Sequence, residues 1–343
     1  MRFLIALRAS TWTIKTVLNK LYKSSCPFDS VKSSMKSLFD LFGRFLAEQA
    51  VGFVPEIREA AKAVIRPNGK LIRPTLVFSS MLADADEDAV VRRAAIVELT
   101  HISTLVHDDV IDNATLRRNC ATTNAKYGVR TAILLGDVIF SHMMSLAFAD
   151  ADRSVAELTS RYIRIICEGE IRQTLSDKNE IVSPERYFEI VYGKTAALFE
   201  LSCRLGAMSP NAPQAWVEAA LEAGRQLGIA YQIYDDVCDW FMSETDAGKT
   251  LGTDLVSGKQ TFPLIALMRT FPKERASDFL RSLPNSDFAT IRAKMTECGA
   301  LETSEKEFLG RISAAENALA GFPQFNAKLL ECCAALREMD FVK

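Results

Sequence analysis

The feature that most constrains this chain is a five-residue acidic pattern that occurs twice, each time within an apolar stretch of helical periodicity. Residues 108–112 are DDVID and residues 235–239 are DDVCD. In an α-helix the outer aspartates of each pattern, at i and i+4, lie on one face, where like charges repel each other. A solvated acidic face would explain one such cluster, but carboxylates placed within two apolar helices are costly to bury. Because Mg²⁺ prefers hard oxygen ligands and commonly bridges carboxylates and substrate phosphates, the two patterns predict a site for a metal-bound diphosphate.

Apolar residues spaced three and four apart predict helices through most of the chain. The stretches are 33–51, 89–107, 131–150, 153–175, 185–206, 213–240 and 305–321. Ser183-Pro184-Glu185 is typical of a helix start, with an N-cap serine followed by a proline and an acid in the first turn. Strand-like alternation is scarce, and no low-complexity linker divides the chain. The sequence therefore predicts an all-α fold, with one domain over residues 29–343 and an extension over residues 1–28.

Charge and cysteine content argue against several kinds of protein. The chain has 41 Lys plus Arg against 43 Asp plus Glu, a net charge of −2, so it is not expected to bind nucleic acid through bulk electrostatics. The eight cysteines are scattered without a CxxC pair. Buried thiols in a reducing, cytoplasmic compartment are therefore expected rather than disulfides or a zinc site. No uninterrupted apolar run reaches about 18 residues, so no membrane-spanning helix is expected.

Residues 1–28 differ in composition from the rest of the chain. They carry five Lys and Arg residues and no acid, and Leu4, Leu7, Ile14, Leu18 and Leu21 fall on one face at helical spacing. This basic amphipathic pattern has three interpretations, namely a helix docked on the body or a partner, attachment to a membrane surface, or an organelle transit peptide. Sedimentation with anionic liposomes that is lost on deleting the segment would support membrane attachment, and no sedimentation would end that hypothesis.

Cations accompany the acidic patterns along the chain. They are Lys70, Arg73, Arg117, Arg118, Lys194, Lys249 and Lys259. Any one of them alone is typical of a surface cation. Lys70 and Arg73, however, are three residues apart and can converge on one anion. As a set, the cations predict two separate anion pockets beside a metal site.

Seven segments follow each other along the chain, namely GKLIRP, HISTLVHDDVIDNATLRRN, LLGDVIF, EGEIRQ, GKTAALFE, YQIYDDVCDW and TLGTDLVSGKQTFPLI. In this order they resemble the trans-isoprenyl diphosphate synthases, also called polyprenyl synthetases. The resemblance runs from about Gly69 to Leu267. It implies an all-α isoprenoid synthase fold, with antiparallel helices around a deep central cavity in which isopentenyl diphosphate is condensed with an allylic diphosphate. The implied cofactor is Mg²⁺, about three ions per active site, and the implied assembly is a homodimer.

The resemblance also assigns roles to individual positions. Metal ligands are implied at Asp108, Asp112, Asp235 and Asp239, and catalytic residues at Asp108, Asp112, Asp235, Lys194 and Arg117. Contacts to the allylic diphosphate are implied at Arg117, Lys194, Thr195, Gln232, Lys249 and Lys259. The isopentenyl diphosphate pocket is implied at Lys70, Arg73, His101 and Arg118. Spacing alone would make His101 a core histidine, and its place seven residues before the first acidic pattern reverses that interpretation. Asn119 departs from the family, which usually has glycine there; asparagine tolerates positive φ better than most residues.

Product length depends, by the same resemblance, on the residues four and five positions before the first aspartate, one helical turn or about 5.4 Å deeper in the cavity. These are Thr104 and Ser103, a small pair where short-chain members have bulky aromatics. We therefore expect an open tunnel and a product longer than twenty carbons.

Other functions stay open on the sequence. A short-chain farnesyl or geranylgeranyl diphosphate synthase would need a tunnel floor made by other residues. A class I terpene cyclase shares metal-triggered ionisation but has no use for GKLIRP or for a second full acidic pattern. A metal phosphohydrolase could use His101, His107 and Asp108, with only His142 as a further histidine. Two complete acidic patterns argue against a nonenzymatic subunit of a hetero-oligomeric synthase, although they allow an enzyme that needs a partner.

Overall fold

The structure is a computed structural model. It describes residues 28–66, 69–117, 120–175, 180–242, 258–283, 286–339 and 341. The predictions for residues 1–27, Arg118, Asn119 and Lys249 lie outside these ranges.

Over the described ranges the chain forms sixteen α-helices, one π-helical turn and one short hairpin. The helices are α1 (Asp29–Ser34), α2 (Lys36–Val51), α3 (Pro55–Val64), α4 (Ile72–Ser80), α5 (Glu87–Ile111), α6 (Thr123–Tyr127), α7 (Val129–Phe148), α8 (Ser154–Thr174), α9 (Pro184–Val191), α10 (Ala197–Ala207), α11 (Gln214–Phe241), α12 (Phe262–Met268), α13 (Lys273–Ser282), α14 (Phe288–Glu297), α15 (Ala300–Leu319) and α16 (Ala327–Arg337). The π-turn is Tyr192–Ala196, and the antiparallel hairpin joins β1 (Leu116–Arg117) to β2 (Cys120–Ala121). The all-α prediction is confirmed.

Two long helices organise the bundle, and each carries one acidic pattern at its C-terminal end. Helix α5 is 25 residues long and packs most extensively along α7, while α11 is 28 residues long and packs along α15 and α10. Both have mostly apolar, buried residues along their length, which explains why they lie in the core. Asp112 is the C-cap of α5, and Asp239 lies in the last turn of α11. The acidic groups therefore stand at the ends of helices that the core holds in place.

The predicted start of α9 is confirmed in detail. Ser183 is the N-cap, and its Oγ accepts a hydrogen bond from the backbone N–H of Arg186 at 3.2 Å. Pro184 occupies the first turn, where its missing N–H costs nothing. The predicted helix over residues 185–206 is not continuous, however, because the π-turn interrupts it at Tyr192–Ala196. Such single turns occur mostly within longer helices and often at functional sites.

Two glycines allow neighbouring helices to touch at the backbone. A Cβ on Gly193, in the π-turn, would lie 2.8 Å from Cα of Gly169 in α8, and a Cβ on Gly169 would lie 2.7 Å from the carbonyl carbon of Gly193. Real Cβ atoms do not approach other heavy atoms this closely. The two glycines therefore fix the position of the π-turn relative to α8.

The sequence predicts no membrane-spanning helix, but helix α7 has the length and the apolar composition of one. It is 20 residues long, and its most apolar window has a mean hydropathy of 1.6. A third of that window is buried inside the molecule. Leu135, Ile139 and Met143 are fully buried on one side of the helix, against the bundle. Length and apolar composition are also properties of a helix in the core of a bundle.

Cysteine placement agrees in part with the expectation of buried thiols. Cys203, Cys238, Cys332 and Cys333 are buried, and no disulfide forms among the described cysteines. Burial raises the pKa of the Cys332 thiol to about 12, so this thiol stays protonated and unreactive. Cys120 and Cys167 are exposed, contrary to the prediction.

Candidate active site

In the first acidic pattern the middle carboxylate and the two outer carboxylates have different roles. Asp109, the middle aspartate, is buried, and its Oδ1 accepts a hydrogen bond from Nε of Arg117 at 2.7 Å. Its backbone carbonyl accepts a bond from the N–H of Ala114 at 2.9 Å. Asp109 therefore fastens the hairpin to the end of α5. Asp108 and Asp112, one turn apart, are left on the same face of the helix.

The backbone directly after this pattern is strained. Asn113 has φ of 51°, in the left-handed region that asparagine tolerates better than most residues. The chain thereby leaves α5 sharply and enters the hairpin that carries Arg117. This turn places Arg117 next to the acidic pattern that precedes it in the chain.

The second pattern shows the same division. Asp236, the middle aspartate, is buried and accepts three hydrogen bonds, from the Tyr187 hydroxyl at 2.7 Å, Nε2 of Gln232 at 2.8 Å and the N–H of Phe262 at 3.0 Å. It ties together α9, α11 and α12. Asp235 is half-buried and Asp239 is completely buried. The spacing predicts Asp235 and Asp239 on one face of the helix, and in the structure Asp235 is the more accessible of the two.

The π-turn connects the two patterns through consecutive residues. Nζ of Lys194 lies 3.1 Å from Oε2 of Glu170 and donates a hydrogen bond to Oε1 of Gln173 at 2.7 Å. Lys194 is also close enough to Asp108 for their charges to affect each other's pKa. Oγ1 of Thr195 donates to Oε1 of Gln232 at 2.7 Å, and Gln232 in turn bonds to the second pattern. Lys194 thus reaches the first acidic pattern, and Thr195 reaches the second.

Electrostatics in the site are dominated by crowded carboxylates. Burial raises the pKa of Asp108 from 3.8 to about 6, and the charges of Glu170 and Asp112 act in the same direction. The ammonium of Lys194 opposes them. Burial alone would lower the pKa of Lys194, but the carboxylates of Glu170 and Asp108 outweigh burial and the net shift is upward. Lys194 therefore stays charged, and the site keeps an excess of negative charge that a cation would relieve.

Lys259 adds a contact from the C-terminal half of the chain. Its Nζ lies 3.8 Å from Oδ1 of Asp112. Two lysines, Lys194 and Lys259, therefore border the first pattern from different elements. The structure brings together five predicted residues here, which are Asp108, Asp112, Arg117, Lys194 and Lys259.

The cations predicted to bind isopentenyl diphosphate lie beside a pair of aromatic rings. Lys70 donates a hydrogen bond to the Tyr231 hydroxyl at 3.4 Å, and the Arg73 guanidinium lies 5.2 Å from the ring centre of Phe199. The two rings are 5.6 Å apart. Leu71, between the cations, has φ of 50°, an uncommon conformation for a branched side chain. Strained backbone of this kind is typical of functional sites.

Tyr231 links this cationic group to the second acidic pattern. Its pKa is raised by burial, and the charges of Lys70, Arg73 and Asp235 also act on it. His101, also predicted for this pocket, is half-buried on α5, seven residues before Asp108. Charges from both predicted groups thus act on one aromatic residue, Tyr231, which the sequence does not single out.

The two residues predicted to set chain length point in different directions. Ser103 is buried, and its Oγ donates to the carbonyl of Gly136 in α7 at 3.1 Å. Thr104 is half-buried and lies four residues before Asp108, on the same face of α5. Within this pair, Thr104 is the residue aligned with the acidic groups, and Ser103 packs between helices.

Glu170, Gln173 and Tyr187 are further site residues that the sequence analysis did not select. The segment EGEIRQ contains the first two and contributes to the family resemblance, but nothing in its spacing indicates which distant lysine it contacts. Tyr187 follows the capped start of α9, a position that predicts only a helix. These roles depend on contacts between residues far apart in sequence, which periodicity does not reveal.

The carboxylates fit a metal that is shared with a substrate. Among the residues that the structure describes, no three His, Cys, Asp or Glu side chains lie close enough together to hold a metal ion by themselves. Mg²⁺ usually takes one or two carboxylates and completes its shell with phosphate oxygens and water. Asp108 and Asp112 on one helix and Asp235 on another supply the oxygen donors of such a shared site. Burial, together with the charges of Glu170 and Asp112, raises the pKa of Asp108, and a divalent cation bound to this carboxylate would favour its ionised form.

An all-α bundle in which one cationic π-turn contacts two acidic helix ends fits an enzyme that binds a metal-bound diphosphate. The sequence profile described as polyprenyl synthetase matches residues 54–295. The chain belongs to the polyprenyl synthetase family, whose members are trans-prenyltransferases.

Similar proteins of known name or structure agree with this family. The octaprenyl diphosphate synthase of Escherichia coli (strain K12) is 30% identical over 262 residues, which cover 75% of this chain and 81% of the relative. Heptaprenyl diphosphate synthase component 2 of Bacillus subtilis (strain 168) is 32% identical over 243 residues, or 71% of this chain and 70% of the relative. The polyprenyl synthase of Caulobacter crescentus CB15, solved with calcium and isoprenyl diphosphate, superposes with a TM-score of 0.82 at 30% identity and covers 93% of this chain and 100% of that structure.

Proposed function

We propose that this chain condenses isopentenyl diphosphate with an allylic diphosphate in a Mg²⁺-dependent reaction and makes products longer than twenty carbons. The observation that carries the proposal is the π-turn, whose Lys194 lies beside the first acidic pattern and whose Thr195 is bonded through Gln232 to the second. A diphosphate bound between the patterns would meet donors from this one turn. The Caulobacter relative, solved with calcium and isoprenyl diphosphate, supports a divalent cation in this kind of site.

The residues around the first pattern are suited to stabilising a departing diphosphate. Asp108, Asp112 and Asp235 would hold Mg²⁺, which when bound supplies Lewis acidity to the leaving oxygen. Lys194, Arg117 and Lys259 add positive charge where negative charge builds up in the transition state.

Lys70 and Arg73 would hold isopentenyl diphosphate by its own diphosphate. The double bond of that substrate would then stand beside the allylic carbon, which is catalysis by orientation. Tyr231, hydrogen-bonded to Lys70 at 3.4 Å, keeps the first of these cations in place. The allylic C–O bond would break, the isopentenyl double bond would form the new C–C bond, and the released diphosphate would accept the proton that is then lost. No nucleophilic side chain is required.

The reaction is tested by incubating the purified protein with Mg²⁺, labelled isopentenyl diphosphate and dimethylallyl, geranyl or farnesyl diphosphate in turn. Chain-length analysis of the dephosphorylated products should show a ladder that ends beyond twenty carbons. A ladder that ends at fifteen or twenty would keep the enzyme class and overturn the product length. No incorporation with any primer would overturn the proposal for this chain acting alone.

Product length is expected to depend on Thr104. A Thr104→Phe variant places an aromatic ring one turn, about 5.4 Å, from Asp108 on the same face of the helix, and we expect its longest product to be shorter than that of the wild type. Chain-length analysis at matched turnover measures the change. Ser103→Ala is the control, because this side chain contacts Gly136 of the neighbouring helix, and its product length should not change. Wild-type product length from an active Thr104→Phe variant would show that the tunnel lies elsewhere.

We further infer that a second copy of this chain covers the outer face of α7. Leu134 and Val138, one helical turn apart, are exposed there at 59% and 37%, and Phe148 at the C-terminal end of the helix is exposed at 74%. An apolar stripe of this kind on a surface helix is typical of a subunit interface, and a two-fold axis would pair it with itself. The Bacillus relative named component 2 makes a different partner subunit the alternative occupant.

A charge in this apolar stripe should separate the subunits. We expect the wild type to sediment as a dimer and Leu134→Lys as a monomer, because an unpaired ammonium is costly to bury in an apolar interface. Analytical ultracentrifugation over a range of concentrations measures this. Leu175→Lys, at a 77% exposed leucine in the C-cap of α8, is the matched control. A monomeric wild type would overturn the second-copy proposal.

A further inference from the structure

We propose that Glu170, assisted by Gln173, is a positioning residue that holds the ammonium of Lys194 at the place where it meets the allylic diphosphate. The proposal rests on the function given above, since it takes Lys194 as a diphosphate contact. Nζ of Lys194 lies 3.1 Å from Oε2 of Glu170 and 2.7 Å from Oε1 of Gln173. Both acceptors come from the last turns of one helix, α8.

Two acceptors determine where the remaining donor of Lys194 points. A lysine ammonium has three N–H groups and no acceptor. Glu170 and Gln173 take two of them, which leaves one directed away from α8. Lysine is otherwise a flexible side chain that loses much conformational freedom when it is fixed in one place. The two contacts therefore preorganise a single N–H for an anion before substrate arrives.

The backbone makes this arrangement specific. Glu170 directly follows Gly169, and Lys194 directly follows Gly193, and these two glycines touch at their backbones. A side chain on either glycine would push the π-turn away from α8. The carboxylate and the ammonium thus begin from two Cα positions whose spacing the glycine pair fixes. The contact between the two backbones therefore determines where this ion pair forms. Exposed ion pairs on the surface lack such a constraint and contribute little to stability.

The charge of Glu170 has a second effect, because Glu170 and Asp108 both attract the ammonium of Lys194. Asp108 also attracts this ammonium, since their charges act on each other. An ammonium drawn fully onto Asp108 would neutralise a carboxylate that the metal needs. Glu170 offers a second carboxylate, on α8, and so competes with Asp108 for Lys194. Removal of the Glu170 charge should therefore shift Lys194 toward the metal-binding aspartates and away from the diphosphate.

A double-mutant cycle tests this role. Glu170→Gln preserves the shape of the side chain and removes its charge. We expect it to lower kcat/KM for the allylic diphosphate about tenfold to a hundredfold, the size of effect that a misplaced catalytic group produces. KM for isopentenyl diphosphate should stay within about twofold, because Lys70 and Arg73 are untouched. In a Lys194→Ala background the same substitution should cause no further loss, since residues that act through one another are not additive.

The matched control is Glu168→Gln, the same chemical change two residues earlier on the same helix. Glu168 pairs with Arg172 at 3.2 Å at an accessible position and does not contact Lys194. Its variant should behave as wild type. Equal losses from Glu170→Gln with and without Lys194, or equal changes of KM for both substrates, would show a general structural role and overturn the proposal. Wild-type kinetics of Glu170→Gln would overturn it as well.

A binding measurement separates this inference from the proposed reaction. Inorganic diphosphate with Mg²⁺ is titrated into each variant by calorimetry, a readout that requires no turnover. We expect Glu170→Gln and Lys194→Ala to weaken binding by similar factors and the double variant to be no weaker than Lys194→Ala. If the wild type binds diphosphate but incorporates no isopentenyl group, the proposed function fails and the cycle in binding still decides the role of Glu170. Unchanged diphosphate affinity in Glu170→Gln overturns that role whether or not the enzyme turns over.

Discussion

Replacement of Asp108 by asparagine is expected to reduce prenyl transfer at least about a thousandfold, because it removes a metal-binding carboxylate from the point where leaving-group charge is stabilised. The same variant is expected to be more stable than the wild type when no metal is present. Burial raises the pKa of Asp108 from 3.8 to about 6. The ionised carboxylate therefore costs folding free energy, and asparagine, which cannot ionise, avoids that cost.

The pH dependence of this stability difference follows from the direction of the pKa shift. Below pH 3.8 the carboxyl is protonated in both the folded and the unfolded chain, and the cost is absent. The cost grows as pH rises toward 6 and is complete above that value. We expect Asp108→Asn to gain about 1–2 kcal/mol at pH 8 and about half as much at pH 5.

Urea unfolding in EDTA at the two pH values measures the difference, and product formation with Mg²⁺ measures the loss of activity. Asp40→Asn, a change at an exposed aspartate of α2, is the control and should alter neither property. A stability gain that is equal at pH 5 and pH 8 would contradict the electrostatic explanation. Retention of a tenth of the activity would contradict the role of Asp108 as a metal ligand.

Replacement of Asp150 by alanine is expected to destabilise the fold by about 3–5 kcal/mol, because it leaves a buried guanidinium without its counter-ion. Arg93 of α5 and Asp150, which follows α7, form two hydrogen bonds of 3.0 and 3.1 Å, with side-chain exposures of 8% and 1%. The same guanidinium donates to the carbonyl of Met208 at 2.6 Å. This pair joins α5 to the C-terminal ends of α7 and α10, so its loss would destabilise the packing of all three helices.

Urea unfolding of Asp150→Ala measures the loss of stability, with Asp278→Ala as the control. Asp278 pairs with Arg281 at 3.0 Å, the same separation, but the two side chains are 75% and 64% exposed. An exposed pair of this kind contributes about 0–1 kcal/mol. Arg93→Met combined with Asp150→Leu should recover much of the loss, since well-packed apolar residues can replace a buried ion pair. A loss below about 1 kcal/mol in Asp150→Ala would contradict the prediction.

Much of the fold can be predicted from the sequence, because helices leave a local signal. The apolar spacing predicts the long helices, and Ser183 with Pro184 predicts the start of α9. The acidic patterns predict where the site lies, since the outer aspartates of each share a helix face. The chain resembles its family at these same segments, and the family membership is confirmed. Localisation, the role of residues 1–27 and the individual site assignments stay predictions.

The details that sequence reasoning missed depend on contacts between distant segments. The π-turn at Tyr192–Ala196 changes the phase of a helix whose apolar spacing looks continuous. Glu170 and Lys194 meet only because two glycines allow their backbones to touch. Ser103 and Thr104 look equivalent as small polar residues, and only the position of α7 distinguishes them. None of these arrangements has a periodic signature in the sequence.

The buried middle aspartates change how the acidic motif should be recognised in other proteins. Asp109 and Asp236 accept hydrogen bonds from donors outside the five-residue pattern, namely Arg117 for the first and Tyr187, Gln232 and the Phe262 amide for the second. A chain that carries the five letters but lacks those donors would bury an unsatisfied carboxylate and would not hold the same helix end. The informative signature is therefore discontinuous, two acidic pentapeptides together with their anchoring residues. A search that requires the anchors should separate true prenyl-transfer sites from chance acidic runs.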